Sequence, residues 1–252
     1  MINDKSRYTP WKILLILSLL IGPIYLLNAS TNSIVVSYIE GRRAYFYPNP
    51  QAPKPKRFRV KKGMKLSKNA IVETKKGARL ELSLPDSSIV RIAPNTRLKL
   101  VKLNTGASNS TELELQAGRV WSKVKKAIGK KPSFSVKTKN AVAGVRGTVF
   151  GVDYDENKAS SSVSVYEGRV SVRPVYATKD ANINDYLKGN LKKRKKVAGP
   201  KKISKKKFEE FLLSRLQQIK IGKKGEKVKA ESIDPENVDE WTKWNQKRDS
   251  LD

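Results

Sequence analysis

The sequence predicts a mainly β domain, preceded by one apolar helix and followed by a basic helical tail. Three observations carry this. From residue 58 to 175 apolar and polar residues alternate with period 2 almost throughout, the spacing that puts one face of a strand on a core. Residues 11–29, "WKILLILSLLIGPIYLLNA", are apolar all round rather than along one stripe. From 188 to 229, seventeen Lys and Arg stand against three acids.

The apolar run is preceded by Lys5, Arg7 and Lys12, and the next charge after it is Glu40. The positive-inside rule keeps the start in the cytoplasm and sends the rest across. As an anchor over 11–28, the helix spans roughly 25 Å against a hydrocarbon core of about 30 Å. As a secretory signal, the helix breaks at Gly22-Pro23 and cleavage follows Ala29. Leu27 suits the signal reading poorly, so the anchor is preferred. Either way, the bulk is expected in the periplasm of a single-pass inner-membrane protein, or free there if the signal is removed. Residues 1–10 would form a short cytoplasmic tail.

The β region is placed at 33–176. "IVVSYIEGRRAYFY" reads as two strands about Glu40-Gly41, and 48–57 as a Pro-rich loop. "ARLELSL" sets Leu80, Leu82 and Leu84 on one face, and Asp86-Ser87-Ser88 and Pro94-Asn95-Thr96 carry turn chemistry. "TELELQAGRVWSKV" reads as a hairpin pivoting at Ala117-Gly118, and "SSVSVYEGRVSVRPV" as another at Glu167-Gly168. Gly-Arg recurs at 41–42, 118–119 and 168–169 without a fixed period. A basic linker is expected over 177–203 and two helices over 204–252. The first, 204–222, carries Phe208, Phe211, Leu212, Leu216 and Ile219 as an apolar stripe, and the second begins at Asp234-Pro235.

Composition narrows the chemistry. The chain has 252 residues, no Cys and no His. Cys/His metal sites, thiol nucleophiles, His bases and disulfides are therefore excluded, and no cofactor is indicated. The net charge of +30 predicts attraction to polyanions. Lys192, Lys193, Arg194, Lys195, Lys196, Lys205, Lys206 and Lys207 are the candidate contacts to an anionic surface, with a solvated linker as the plain alternative. Nucleic acid is not expected beyond a membrane. Asp86, Glu112, Glu114, Asp153, Asp155 and Glu167 are acids of a kind that could pair for glycoside hydrolysis, but turns collect such residues in any case. Trp241 and Trp244 on the last helix suit packing on a sheet or contact with a partner.

Residues 141–155, "AVAGVRGTVFGVDYD", invite a phosphate-loop reading, but the glycine spacing fits no such loop and no helix follows. "DYDEN" lacks the Gly and Glu of a calcium loop. As a strand, 141–155 puts Arg146 on the face of Val142, Phe150 and Val152. That predicts a partly buried cation satisfied by backbone carbonyls or by Asp86 or Glu167.

Three stretches together resemble the FecR domain family. They are "AVAGVRGTVFGVDYD" (141–155), "LELSLPDSSIVRIAPNTRLKL" (80–100) and "VSVYEGRVSV" (163–172). The resemblance singles out Gly144, Arg146, Gly147, Thr148, Phe150, Asp86, Glu167 and Gly168 as signature positions of structural character. It implies a twisted, layered β-helix-like or sandwich-like stack of short strands in a bacterial envelope protein. It also implies binding or signal relay rather than catalysis. In the iron-regulator branch an anti-sigma domain precedes the membrane helix, whereas ten residues precede it here, so a sigma factor is not the expected partner. The expectation is a non-enzymatic interaction or sensing module that binds another envelope protein or an anionic envelope polymer or lipid. The alternatives are a sigma-factor regulator and, at lower rank, a cell-wall enzyme.

Overall fold

Short strands need neighbours, and here each finds them in one of two layers. A computed structural model describes residues 33–103, 110–126, 134–175, 211–223 and 230–251. In chain order the strands begin with β1 (Ile34–Glu40), β2 (Ala44–Tyr47), β3 (Phe58–Arg59), β4 (Lys65–Leu66), β5 (Ile71–Thr74) and β6 (Arg79–Ser83). Next come β7 (Ile89–Ile92), β8 (Thr96–Lys102), β9 (Thr111–Lys123), β10 (Phe134–Lys137), β11 (Ala141–Val145) and β12 (Val149–Asp155). Then follow β13 (Ser160–Glu167), β14 (Val170–Pro174), β15 (Phe211–Leu213), β16 (Gln217–Ile221) and β17 (Glu231–Ser232). A single helix among the described residues, α1 (Glu240–Asp249), closes the chain.

Sheet A runs β4-β1-β6-β7-β9-β12-β13-β16-β17, and sheet B runs β3-β2-β5-β8-β9-β10-β11-β14-β15. Strand β9 belongs to both: its first half pairs with β8 and β10, its second half with β7 and β12. Among the described residues, only the β9–β10 pair is parallel. The inward residues of both sheets, Leu80, Leu82, Leu98, Leu113, Phe134, Phe150 and Val163 among them, make one core. The domain is thus mainly β and layered, and among the described residues its sheets do not close into a barrel.

The Gly-Arg repeat gains a meaning from this topology. At 40–42, 117–119 and 167–169 the chain leaves one sheet for the other, so these are corners rather than hairpin turns. The expected hairpins at 117–118 and 167–168 are absent: β9 is one bent strand, and β13 and β14 pair with different neighbours. Each corner nests against the corner of the adjacent strand pair. Lys75 N–H donates to Arg43 O at 2.9 Å, Ala93 N–H to Arg119 O at 3.1 Å, and Thr148 Oγ1 to Arg169 O at 3.0 Å. Gly168 (φ +78°) lies so close to its partner that a Cβ there would sit 2.8 Å from Gly147 O. A side chain at that position would strain the backbone and strike a carbonyl.

The stretch 141–155 is therefore two strands, β11 in sheet B and β12 in sheet A, joined by a corner at Arg146-Gly147-Thr148. The corner shifts the alternation. Ala141, Ala143 and Val145 point inward before it, and Phe150, Val152 and Tyr154 after it. Arg146 falls on the turn and is exposed, which corrects the expectation of a buried cation.

The tail also differs from expectation. Where described, the segment read as a helix over 204–222 forms β15 and β16 instead. Leu216 takes φ +58° in the turn between them, and Leu213, Ile219 and Ile221 are buried. Hydrogen bonding to the open edges of β14 and β13 outweighs a helix-like spacing of apolar residues. The last helix does form, but its N-cap is Asp239 rather than Asp234. The apolar run at 11–28 lies outside the described residues. Among those described, no helix is long and apolar enough to cross a membrane.

Candidate functional site

The most concentrated polar chemistry lies where α1 crosses the outer face of sheet A. A ten-residue helix is marginal alone in water, so its docking contacts decide whether it forms. Its ends are locally well chosen. The Asp239 side chain accepts from Thr242 N–H at 2.9 Å, Glu240 sits in the first turn, and Lys247 and Arg248 sit in the last. Asp249 breaks the pattern, since a carboxylate at a helix C-terminus opposes the dipole.

The cause is a buried arginine in β7. Arg91 has no solvent exposure. Its Nε donates to Glu81 Oε2 at 2.7 Å, and its Nη1 to Asp249 Oδ1 at 2.6 Å and Asn245 O at 3.3 Å. Asp249 Oδ2 also accepts from Trp121 Nε1 at 3.0 Å, and Lys123 Nζ donates to Asp249 O at 3.1 Å. Glu81 further accepts from Ser37 Oγ at 2.8 Å and Arg248 Nε at 3.2 Å. Of these three partners of Arg91, one comes from β6, ten residues away, and two come from α1, more than 150 residues away. At the other end of α1, Arg119 joins Asp153 in β12 (2.7 Å) and the N-cap Asp239. Glu240 reaches Arg79 at 3.4 Å.

Between these ionic ends lies an aromatic seam. Trp241 is buried with Ala93, Trp121 and Val149. Trp121 stacks on Tyr166 at 4.3 Å, and Trp241 on Trp244 at 5.3 Å. Arg248 lies over Tyr38 at 4.1 Å and Trp244 at 5.3 Å.

Burial alone would raise the Glu81 pKa. Hydrogen bonds from Arg91, Ser37 and Arg248 outweigh it and hold the carboxyl below the usual glutamate range. Asp239 is likewise held low, burial being overcome by Arg119 and the Thr242 N–H. Asp153 moves the other way: burial raises it, and the nearby Asp239 charge adds to this against Arg119. Glu81 and Asp239 bind their protons more weakly folded than unfolded. Their contribution is present above the unfolded carboxylate pKa and is lost as pH falls through the lower folded value. Asp153 has the opposite sign and softens the loss at the Arg119 end. Acidification from pH 7 to pH 3 should therefore release α1, seen as a red shift of tryptophan emission before the β core melts. Identical emission at the two pH values would refute this.

These groups make a clamp, not a reaction centre. Glu81, Asp239 and Asp249 are engaged by guanidinium groups, and the first two are kept ionised, which suits them poorly to proton donation. The signature residues do not converge on a ligand site. Gly147, Thr148, Glu167 and Gly168 form one pair of nested corners, with Thr148 buried and Glu167 exposed. Phe150 is in the core, edge-on to Phe134 at 6.1 Å, and Gly144 sits half-buried in β11 opposite Ser135 and Ser171. Asp86 is remote from them in chain and accepts from Ser88 N–H at 2.9 Å in its own turn. Lys192–Lys196 and Lys205–Lys207 lie outside the described residues. The sequence reading missed Arg91, Glu81, Trp121 and Asp249. Its one available signal was a cation inside the apolar run "SIVRIAP".

Residues 70–171, from the start of β5 into β14, match the family model described as FecR protein. Over those residues the chain is similar to a FecR domain. The α1 clamp contributes Asp249 from beyond that matched range, to residues Glu81, Arg91 and Trp121 within it. Two crystal structures of a chain named as an anti-sigma factor, from Parabacteroides distasonis ATCC 8503, are similar to this one. Each shows 21% identity and a TM-score of 0.47 over 70% of this chain and 64% of that one. The present chain thus spans less than two thirds of the length of that relative. None of the curated protein sequences matches.

Proposed function

We propose that this FecR-domain protein is a non-enzymatic sensing or interaction module of the bacterial envelope. It is tethered by its N-terminal apolar segment and binds another envelope protein or an anionic envelope polymer through the β domain. The observation that carries this reading is the FecR match over 70–171. The α1 clamp supports it, because carboxylates held in ion pairs form a binding and locking surface rather than an acid–base pair.

The chain has no Cys, so a single Leu251→Cys variant reports topology. Leu251 is 77% exposed. A membrane-impermeant maleimide should label it once the outer membrane is opened, with the inner membrane intact. Labelling only after complete lysis would defeat the envelope assignment. Crosslinking in the same cells, followed by capture of the full chain, then identifies the partner. Retention in high salt points to the β domain, and loss in salt points to the basic segments.

A further inference from the structure

We propose that the edge of the β stack formed by residues 54–62 is a docking surface for an anionic lipid bilayer. This rests on the envelope reading above.

From Gly41 to Val72 the sequence contains ten Lys and Arg and no carboxylate. The structure gathers the densest part of that stretch in one place. Strand β3 is the terminal strand of sheet B, and β4, six residues on, is the terminal strand of sheet A. One segment therefore covers the same end of both layers. Lys54, Lys56, Arg57, Arg59, Lys61 and Lys62 are all exposed along it. Among the described residues none of them has a carboxylate at ion-pair distance. Several cations elsewhere do hold acids: Lys220 faces Glu231 at 3.7 Å at the opposite end of sheet A, and Arg79, Arg91 and Arg119 are all ion-paired.

Edge lysines commonly serve to block unwanted strand pairing. That explanation does not cover Phe58, which stands in the middle of the cations in β3 with 48% of its surface exposed. A large apolar side chain on an edge undoes such protection. A cationic strip with one projecting aromatic is what an interfacial contact needs: charge for the headgroups and a ring for the acyl boundary. Nucleic acid fits less well, because stacking wants free aromatic faces. The Tyr45 ring is covered by Arg57 at 4.6 Å, and Tyr47 faces Arg97 at 5.5 Å with its hydroxyl on Glu73. Chain direction agrees. β1 starts at this end, Ile34 opposite Leu66 and Val35 opposite Lys65, and in sequence the apolar run ends just before it.

The full chain labelled with an environment-sensitive dye at Pro55→Cys, reconstituted in vesicles, tests this. Vesicles containing 30% phosphatidylglycerol should give a blue shift that pure phosphatidylcholine does not, and 0.5 M salt should abolish it. A dye at Leu251→Cys should not respond. Changing Lys54, Lys56, Arg57 and Arg59 together to Gln should lower the ratio of docked to undocked dye at least about tenfold, since each cation near an anionic surface contributes about 1 kcal/mol. Tryptophan emission of that variant should be unchanged, because the α1 seam is elsewhere. No shift, or equal shifts on both vesicle types, overturns the proposal. An equal shift with soluble polyphosphate overturns it in favour of a polymer ligand. If Leu251 is labelled from outside while Pro55→Cys stays silent, the docking surface falls and the envelope assignment stands.

Discussion

Replacing Arg91 with methionine should cost about 3–5 kcal/mol of stability and free α1 from sheet A, whereas Arg146→Met should cost less than about 1 kcal/mol. The two arginines look alike in sequence, each flanked by apolar residues in a strand-like stretch. Their environments are opposite. Arg146 is exposed at a corner, and Arg91 has no exposure and holds Glu81 and Asp249 at 2.7 and 2.6 Å. A methionine at 91 fills similar space but strips Glu81 and Asp249, at the helix–sheet contact, of their shared cation, leaving them Arg248 and Lys123 as cations nearby, beside Ser37 and Trp121. The penalty is that of stranding buried charge, not the worth of the ion pair, which is often small once desolvation is counted. Thermal or urea unfolding measures the loss, and tryptophan emission reports α1 separately because Trp121, Trp241 and Trp244 all lie at its seam. Equal effects from the two substitutions would refute the assignment of Arg91 as the internal cation.

Gly41→Ala should cost more than about 3 kcal/mol and severely reduce folded yield, while Gly63→Ala should cost only about 1–2 kcal/mol. Both glycines have left-handed backbone, φ +77° and +81°, so both variants pay for that conformation. They differ in space. A Cβ at Gly41 would lie inside the van der Waals surface of the Gly77 carbonyl, where the two corners nest, whereas nothing lies within 4 Å of a Cβ at Gly63. Backbone on a paired strand cannot swing aside as a flexible side chain can, so the clash must open the β1–β6 and β2–β5 ladders together. Comparing the two denaturation midpoints separates conformational strain from nesting. Similar losses at both positions would mean that the nested corners carry no packing energy.

The β class was legible because period 2 is a local property: Leu80, Leu82 and Leu84 announce a buried face without reference to any partner. The corners were half legible. Gly-Arg at 41, 118 and 168 marked changes of direction, but a hairpin and a change of sheet call for the same residue, and only pairing distinguishes them. The segment 204–222 was misread because Phe211, Leu212, Leu216 and Ile219 satisfy a helical spacing. The deciding contacts belong to Val163, Val165, Val170 and Val172, about fifty residues earlier. The signature residues lie on separate corners, strands and turns, with Asp86 in a different turn from Gly147 and Gly168.

By itself the sequence determined the strand-rich domain, the positions where the backbone must turn and the existence of a final helix with Trp241 and Trp244 on it. Those follow from side-chain alternation, from backbone freedom at glycine and from capping chemistry, all of which act within a few residues. Only the tertiary structure decided which cation is internal. Burial of Arg91 depends on Asn245 and Asp249 closing over β7 from more than 150 residues away, and exposure of Arg146 depends on a corner that breaks the alternation around it. Charge burial is set by what covers a face, and no local pattern in β7 records that α1 does.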